Sequence, residues 1–490
     1  MRRFLTSMIF AAPLLSGAVA GELTLTLEDA IAMARLKSVD AAVALDELKT
    51  AYWEWRTFHA DQLPEVSFSA TAPSYANQYS SYMNGDGDYS FVKDNHLTAR
   101  GQLAVTQNVR LTGGKISLVS SLDFLRQFGE ATRNRYMSIP VAITLQQPIF
   151  GVNTMKWDSR IEPVRYSEAK AAFLSATEEV AMLAMQYYFT LLLSRENLAT
   201  ARQNLTNAEK LYAVAIEKRN MGQISQNDLL QMELNLLDAR SELTDCESTL
   251  KSDMFRLRSF LDIDEDTEIV PVVPSSVPVA EISYADALDR ALTNNKFAKN
   301  IRRRQLEADY EVAKAKGNLR QISLFAQIGY TGTAGEAADS YRNLRGNQLV
   351  EVGISIPLLD WGKRRGRVKV AESNRRVTES RLRQERADFN QDLFVLVERF
   401  CNQQSQLAIA ARSNEIARKR YDTNVQTYMI GKISTLDLND SQSKKDEAMR
   451  QYVTELYKFW NYWYQIRSLT LYDYEHRDNI TADIERLVKN

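Results

Sequence analysis

Few side chains in this sequence are placed for covalent chemistry. Its 490 residues include three histidines (His59, His96, His476) and two cysteines (Cys246, Cys401). They fall at no metal-ligand spacing. No Ser/His/Asp or Cys/His constellation and no phosphate loop is present, so neither enzymatic activity nor a cofactor nor a metal is expected. Both cysteines are expected as buried helix residues, since free cysteine is among the most buried residue types. A disulfide between them is the alternative.

The carboxylates are more informative. Ser225 and Asp228 are spaced S-x-x-D, and so are Ser434 and Asp437. That spacing predicts a capping box at the start of a helix, where a carboxylate also favours the helix dipole. Asp440 lies three residues past Asp437, on the same helix face and beyond the cap. Each capping pair follows a tight turn, Met221-Gly222-Gln223-Ile224 or Ile430-Gly431-Lys432-Ile433. Glycine there permits the left-handed backbone that such a turn requires.

These turns belong to a sequence that resembles itself. Gly222-Gln223-Ile224-Ser225 matches Gly431-Lys432-Ile433-Ser434 at an offset of 209, which Pro148/Pro357 and Tyr212/Tyr421 share. Leu25-Thr26-Leu27-Glu28-Asp29-Ala30 matches Ile282-Ser283-Tyr284-Ala285-Asp286-Ala287, and here Ala30 and Ala287 are 257 apart. The difference of 48 predicts extra residues in the first half between its first helix and Pro148. Helices are expected near 27–62, 156–219 and up to Leu261, then near 284–319, 363–428 and 434–470. The first repeat is placed at 21–261, a proline-containing linker at 262–280, the second repeat at 281–470 and a tail at 471–490.

The long helices carry coiled-coil spacing. Phe173, Ala176, Val180, Leu183 and Tyr187 step by three and four, as do Phe389, Leu393, Leu396, Phe400, Gln403 and Leu407. A helix of about 64 residues spans roughly 95 Å, which suits crossing a compartment better than filling a globule. Between the helices the period changes to two. Val66, Phe68 and Ala70 alternate with Ser67, Ser69 and Thr71, and Met137, Ile139, Val141, Ile143 and Leu145 alternate with Ser138, Thr144 and Gln146. Further stripes occur at 97–109 and 115–125, and in the second half at 324–330 and 350–356. One apolar and one polar face is the pattern of a barrel strand with lipid outside and water inside; a soluble sandwich with one wet face shares it. Tyr75, Tyr79, Tyr82, Tyr89 and Phe91 fall in the expected loop between the first two strands, as interfacial aromatics or as loop packing.

Composition excludes other classes. Sixty-one basic residues balance 62 acidic ones, giving no basic footprint for nucleic acid. Arg2 and Arg3, an apolar stretch from Phe4 to Leu15 and Ala18-Val19-Ala20 predict a signal peptide over 1–20, with no cysteine after it for a lipid anchor. No later apolar run approaches the roughly 20 residues of a membrane helix, so any spanning part must be a closed β-barrel.

Taken together, the duplicated order of helix, strands, long helix, glycine turn and helix resembles the TolC-like outer-membrane efflux family over nearly the whole mature chain. Leu25–Ala30 looks like its opening helix motif. Gln146-Gln147-Pro148-Ile149-Phe150-Gly151 and Ile356-Pro357-Leu358-Leu359-Asp360-Trp361-Gly362-Lys363 look like its strand-to-helix elbows. The resemblance implies a mainly α fold with a β-barrel: a homotrimer whose long antiparallel helices form a periplasmic α-barrel and whose strands form one outer-membrane barrel. It implies a passive export conduit in a tripartite efflux or type I secretion system, driven by an inner-membrane pump through a periplasmic adaptor. Asp437-x-x-Asp440 matches the family's carboxylate pair at the periplasmic aperture, where rings of carboxylates would select and bind cations. Asp228 and Tyr428 join this expected constriction, Tyr428 as part of a closed-state latch. The basic residue that follows the glycine in some members is replaced by Ile433. Met221, Gly222, Gln223, Ile430, Gly431 and Lys432 are the expected adaptor contacts. The family usually has two strands per half, whereas four stripes occur in the first half here. The alternative is a structural periplasmic coiled-coil protein or adhesin, which the alternating strands and elbow prolines oppose.

Overall fold

A computed structural model describes residues 22–489 except 84, 86, 130, 131, 275, 279, 320, 356–358 and 431. The expected signal peptide, Gly431 and the first three residues of the second elbow, Ile356, Pro357 and Leu358, therefore lie outside the described residues. The elements follow in order: β1 (Glu22–Leu25), α1 (Leu27–Lys37), α2 (Val39–Ala60), β2 (Glu65–Met83), β3 (Tyr89–Val109), β4 (Gly114–Gln127), β5 (Arg133–Phe150), α3 (Thr154–Asn220), α4 (Gln226–Leu261), β6 (Glu268–Pro271), α5 (Tyr284–Asn294), α6 (Lys296–Gly317), β7 (Gln321–Ala334), β8 (Arg345–Ser355), α7 (Lys363–Met429), α8 (Thr435–Thr470), the short β9 (Tyr472–Asp473) and β10 (Asp478–Asn479), and α9 (Ile484–Lys489). The fold is mostly helical, with one large sheet.

The helices recur with equal lengths. α1 and α5 have 11 residues, α2 and α6 have 22, α3 and α7 have 67, and α4 and α8 have 36. Their ends are set by the same local chemistry. Thr26 caps α1 by accepting the Asp29 N–H, and Ser283 caps α5 by accepting the Asp286 N–H. α4 and α8 both end on a left-handed residue, Asp262 (φ 52°) and Leu471 (φ 48°).

The expected single helices 27–62 and 284–319 are each broken. Ser38 (ψ 147°) and Asn295 (ψ 150°) adopt extended backbone while their N–H groups still donate to Ala34 O and Ala291 O. Their side chains are the cause. Ser38 Oγ accepts the Ala41 N–H at 3.2 Å and so restarts the helix. Asn295 Nδ2 donates to Leu469 O at 2.7 Å and Ser468 O at 3.3 Å, satisfying carbonyls at the end of α8.

Two compact units are present. One draws on the described residues up to Glu47, Ala171–Asn295 and Phe389 onward. Its core gathers Leu25, Leu27, Tyr188, Leu192, Leu257, Phe400, Phe459 and Trp463, all buried. Each such side chain contributes about 1.5–3 kcal/mol on burial. Within the expected linker, β6 pairs in parallel with β1, from Glu22↔Glu268 to Leu25↔Pro271. Tyr188 Oη accepts the Val272 N–H at 2.9 Å and reaches Leu25 O at 3.0 Å, fastening this ribbon to α3. The buried Glu178 carboxylate bridges Arg35 (2.6 Å) and Arg467 (3.2 Å), and Arg467 also pairs with Asp473 (2.8 Å) in the tail. Cys246 is buried as expected, but Cys401 is exposed on α7, and both are free thiols. The heptad stripe passes through Phe400, which is fully buried, and position 401 falls off that stripe.

The other unit comprises Leu48–Lys170 and Lys296–Asp388. It holds a six-stranded antiparallel sheet in the order β2-β3-β4-β5-β7-β8. The four stripes of the first half are thus four strands. The supernumerary hairpin β3–β4 is inserted between β2 and β5 and stays paired down to Val109↔Gly114 at the helical end. β2 and β3 also run through the expected tyrosine loop, pairing as far as Met83↔Tyr89. Tyr75, Tyr79, Tyr89 and Phe91 are strand residues and exposed. Aromatic side chains alternating with small polar ones suit a pleated surface, which a count of loop-forming residues obscures.

The register sorts the two faces. Val66↔Val105, Val105↔Leu118, Leu118↔Ile143 and Ile143↔Ile328 form one apolar row across five strands. One residue along, Glu65↔Thr106, Thr106↔Ser117, Ser117↔Thr144 and Thr144↔Gln327 form a polar row on the opposite face. Val66, Leu118, Ile143 and Ile328 are exposed. No described helix is long and apolar enough to cross a membrane.

Candidate functional site

Both glycine tips lie in the first unit. At the end of α3, the Gln223 N–H donates to Lys218 O (2.8 Å) and the Gly222 N–H to Arg219 O (3.0 Å). Gly222 has φ +71°, and nothing lies within 4 Å of where a Cβ would sit. The backbone angle, not crowding, is what calls for glycine here. At the end of α7 the Lys432 N–H donates to Thr427 O (3.1 Å), the same closing bond 209 residues later. Met221 (62% exposed) and Ile430 (68%) point apolar side chains into solvent beside exposed Gln223 and Lys432.

The two capping boxes form as the spacing predicts. Ser225 Oγ–H donates to Asp228 Oδ2 (2.7 Å), and the Asp228 N–H returns to Ser225 Oγ (3.1 Å). Ser434 and Asp437 repeat this at 2.6 and 3.2 Å. The serine hydroxyl and then its backbone N–H hold each carboxyl below the usual aspartate range.

Asp440 is held differently. Arg420 Nη2 on α7 donates to Asp440 Oδ2 at 2.7 Å, and both side chains are about half exposed. Asn424 Nδ2 lies 3.4 Å from Asp437 O on the same pair of helices. Arg420 was absent from the candidates that sequence spacing provides. Its signal is the hairpin itself: Arg420 and Asp440 are equidistant from Ile430 at the turn. The positions 209 residues earlier hold Leu211 and Gln231, so the first tip lacks this ion pair.

Tyr428 is buried. It packs with Leu211, Ala215, Met232, Tyr421 and Leu438, so α3, α4, α7 and α8 meet around it. Lys218 Nζ stands 4.9 Å from its ring centroid. Further from the tip, Asn207 Nδ2 donates to Tyr421 Oη (2.7 Å) and Asn204 Nδ2 to Asp446 Oδ2 (2.9 Å). These bonds join the two hairpins with polar contacts. The structure therefore brings Asp437, Asp440 and Tyr428 to one tip and Asp228 to the other, beside the shared apolar cluster. Among the described residues no group of three or more His, Cys, Asp or Glu side chains is gathered to hold a metal.

The family model described as outer membrane efflux protein matches residues 30–261 and 296–470. The chain belongs to the outer membrane efflux protein family, a family of outer-membrane channels, and the outer membrane is its location. Three solved structures share the fold. The Campylobacter jejuni CmeC outer membrane channel has 14% identity and a TM-score of 0.65 over 94% of this chain and 88% of that one. The outer membrane protein VceC of Vibrio cholerae has 14% identity and 0.60 over 91% and 95%. The open state of the Neisseria gonorrhoeae MtrE outer membrane channel has 12% identity and 0.60 over 93% and 91%. No curated protein matches the chain at a significant level.

Proposed function

We propose that this protein is the outer-membrane channel of a tripartite efflux or type I secretion system: a homotrimeric passive conduit for small molecules or polypeptides. An inner-membrane pump would drive export through a periplasmic adaptor. The observation that carries the reading is the six-stranded sheet. From β2 to β7 an apolar row, Val66 to Ile328, lies on one face and a polar row, Glu65 to Gln327, on the other, and within the described chain the outer edges of β2 and β8 pair with no further strand. A sheet in lipid has to close, and copies of the same edges supply the closure. The mature chain would consist of two repeats, 21–261 and 281–470, joined by 262–280 and followed by the tail 471–490. The equal helix lengths and the shared caps support that duplication.

The constriction would lie at the second tip, with three copies of Asp437 and Asp440 around the axis and the helices reaching into the periplasm. The tip residues Met221, Gly222, Gln223, Ile430, Gly431 and Lys432 would meet the adaptor. Outer-membrane fractions analysed with and without heating test the assembly: a heat-modifiable trimer is expected, and a soluble periplasmic monomer would sink the reading.

A further inference from the structure

The sheet meets the helices in one layer of chain crossings within the second unit, at residues 61–65, 109–114, 150–154, 317–319 and 359–363. Side chains tie this layer together. Asn108 Nδ2 donates to Asp61 O (2.9 Å), Asn153 Nδ2 to Arg110 O (2.9 Å), and Arg364 Nη1 to Asn318 O and Leu319 O (both 3.1 Å). The layer also carries solvent-facing apolar groups: Leu111 (89% exposed), Phe150, Leu359 and Trp361 (89%).

The start of α7 is anomalous. Its first turn has no acidic residue, and Lys363, Arg364, Arg365 and Arg367 crowd the helix's positive end. Placement against the dipole is unfavourable for the helix itself. Arg364 is occupied by the carbonyls that end α6. The Asp360 carboxylate accepts the Gly362 (3.0 Å) and Arg364 (3.2 Å) N–H groups and closes the turn. Lys363, Arg365 and Arg367 are exposed, and among the described residues none of them forms an ion pair. Beside them Trp361 holds a left-handed backbone (φ +52°) that a bulky residue rarely adopts, with its indole in solvent.

The position of the patch identifies its partner. The strands on one side present an apolar face, while no described helix on the other side is apolar enough for lipid. If the sheet is a membrane barrel, the hydrocarbon boundary falls at this layer. An indole with cations beside it is then level with the headgroups. We propose that the turn from Trp361 to Arg367 docks the phosphates of anionic phospholipid in the leaflet facing the helices. This rests on the barrel reading above. The occupant is a bilayer surface, because the exposed indole and the apolar residues of the same layer suit a hydrocarbon edge and have no use for free phosphate.

The full-length protein would be inserted into phosphatidylcholine vesicles containing a fixed fraction of phosphatidylglycerol. Either lipid would carry bromine near the headgroup end of its chains. Quenching assigned to Trp361, by subtraction of a Trp361→Phe variant, should be roughly threefold or more stronger from brominated phosphatidylglycerol than from brominated phosphatidylcholine at equal fraction. Lys363→Gln, Arg365→Gln and Arg367→Gln together should bring that ratio close to one, and Lys363→Arg, Arg365→Lys and Arg367→Lys together should keep it. Equal quenching by both lipids in the unmodified protein overturns the proposal. So does a preference that survives the glutamine triple or is lost in the charge-keeping triple. Dissociation of trimers in the glutamine triple at an unchanged ratio would make the patch a contact between copies of the chain. Failure to float with neutral vesicles would strike the barrel reading itself, and the docking with it.

Discussion

Asp437 and Asp440 are three residues apart yet chemically unlike. Asp437 spends one carboxylate oxygen on the Ser434 cap, whereas Asp440 shares its charge with Arg420. In a constriction built from both, Asp437 would supply a fixed charge and Asp440 one that Arg420 partly cancels. An exposed pair of this kind is worth about 0–1 kcal/mol. Arg420→Ala is therefore expected to tighten block by a divalent cation about two- to fivefold in single-channel recordings, and Asp440→Asn to weaken it. Asp437→Asn should instead loosen the first turn of α8, read as faster amide exchange at 435–438. If block is unchanged in both Arg420→Ala and Asp440→Asn, Asp440 does not face the ion path. The capping boxes were legible in the sequence because S-x-x-D is a local rule that depends on nothing else. Arg420 was not, because its pairing depends on how tightly the hairpin closes.

The same division holds for the elements. Boundaries of the long helices followed from heptad spacing and glycine turns, since both act within a few residues. The breaks at Ser38 and Asn295 did not. No proline or glycine marks them, and Asn295 is fixed by carbonyls 173 and 174 residues away. Nor did the pairing of β1 with β6, which places four residues of the expected linker in a parallel ribbon. Such contacts are decided by tertiary packing and leave little trace in local pattern. Asn295 shows what they are worth. It is buried and donates to Leu469 O and to Ser468 O, the latter also reached by Ser175 Oγ at 3.4 Å. Asn295→Ala would leave Leu469 O short of this donor at a cost of about 1–3 kcal/mol. A lower midpoint of thermal unfolding is expected, with Ser38→Ala milder because Ser38 Oγ serves one neighbouring N–H. Equal loss in both variants would mean that the break itself, rather than the tie to α8, carries the stability.

For the whole molecule, the decisive question is what the inserted hairpin does. Two strands per half is the usual family pattern, and a strand pair projecting from the sheet would leave a barrel of the usual size. Here β3 and β4 pair on both sides, and the apolar row passes through Val105 and Leu118 without a break between Val66 and Ile143. Six strands from each of three copies, in place of four, would widen a closed barrel by about half, because diameter grows roughly in proportion to strand number. Adjacent residues of β4 separate the possibilities. Leu118 belongs to the apolar row and Ser117 to the polar one, where its Oγ lies 3.1 Å from Thr106 Oγ1. If β4 is a barrel strand, Leu118→Arg puts a charge against lipid at about 2–4 kcal/mol near the midplane and less toward the interface. It should sharply reduce the heat-modifiable trimer in outer-membrane fractions. Ser117→Arg points into water and should assemble normally while altering conductance. If the hairpin stands clear of the membrane, both variants will assemble equally well, and the wider barrel is wrong even though the sheet is correct.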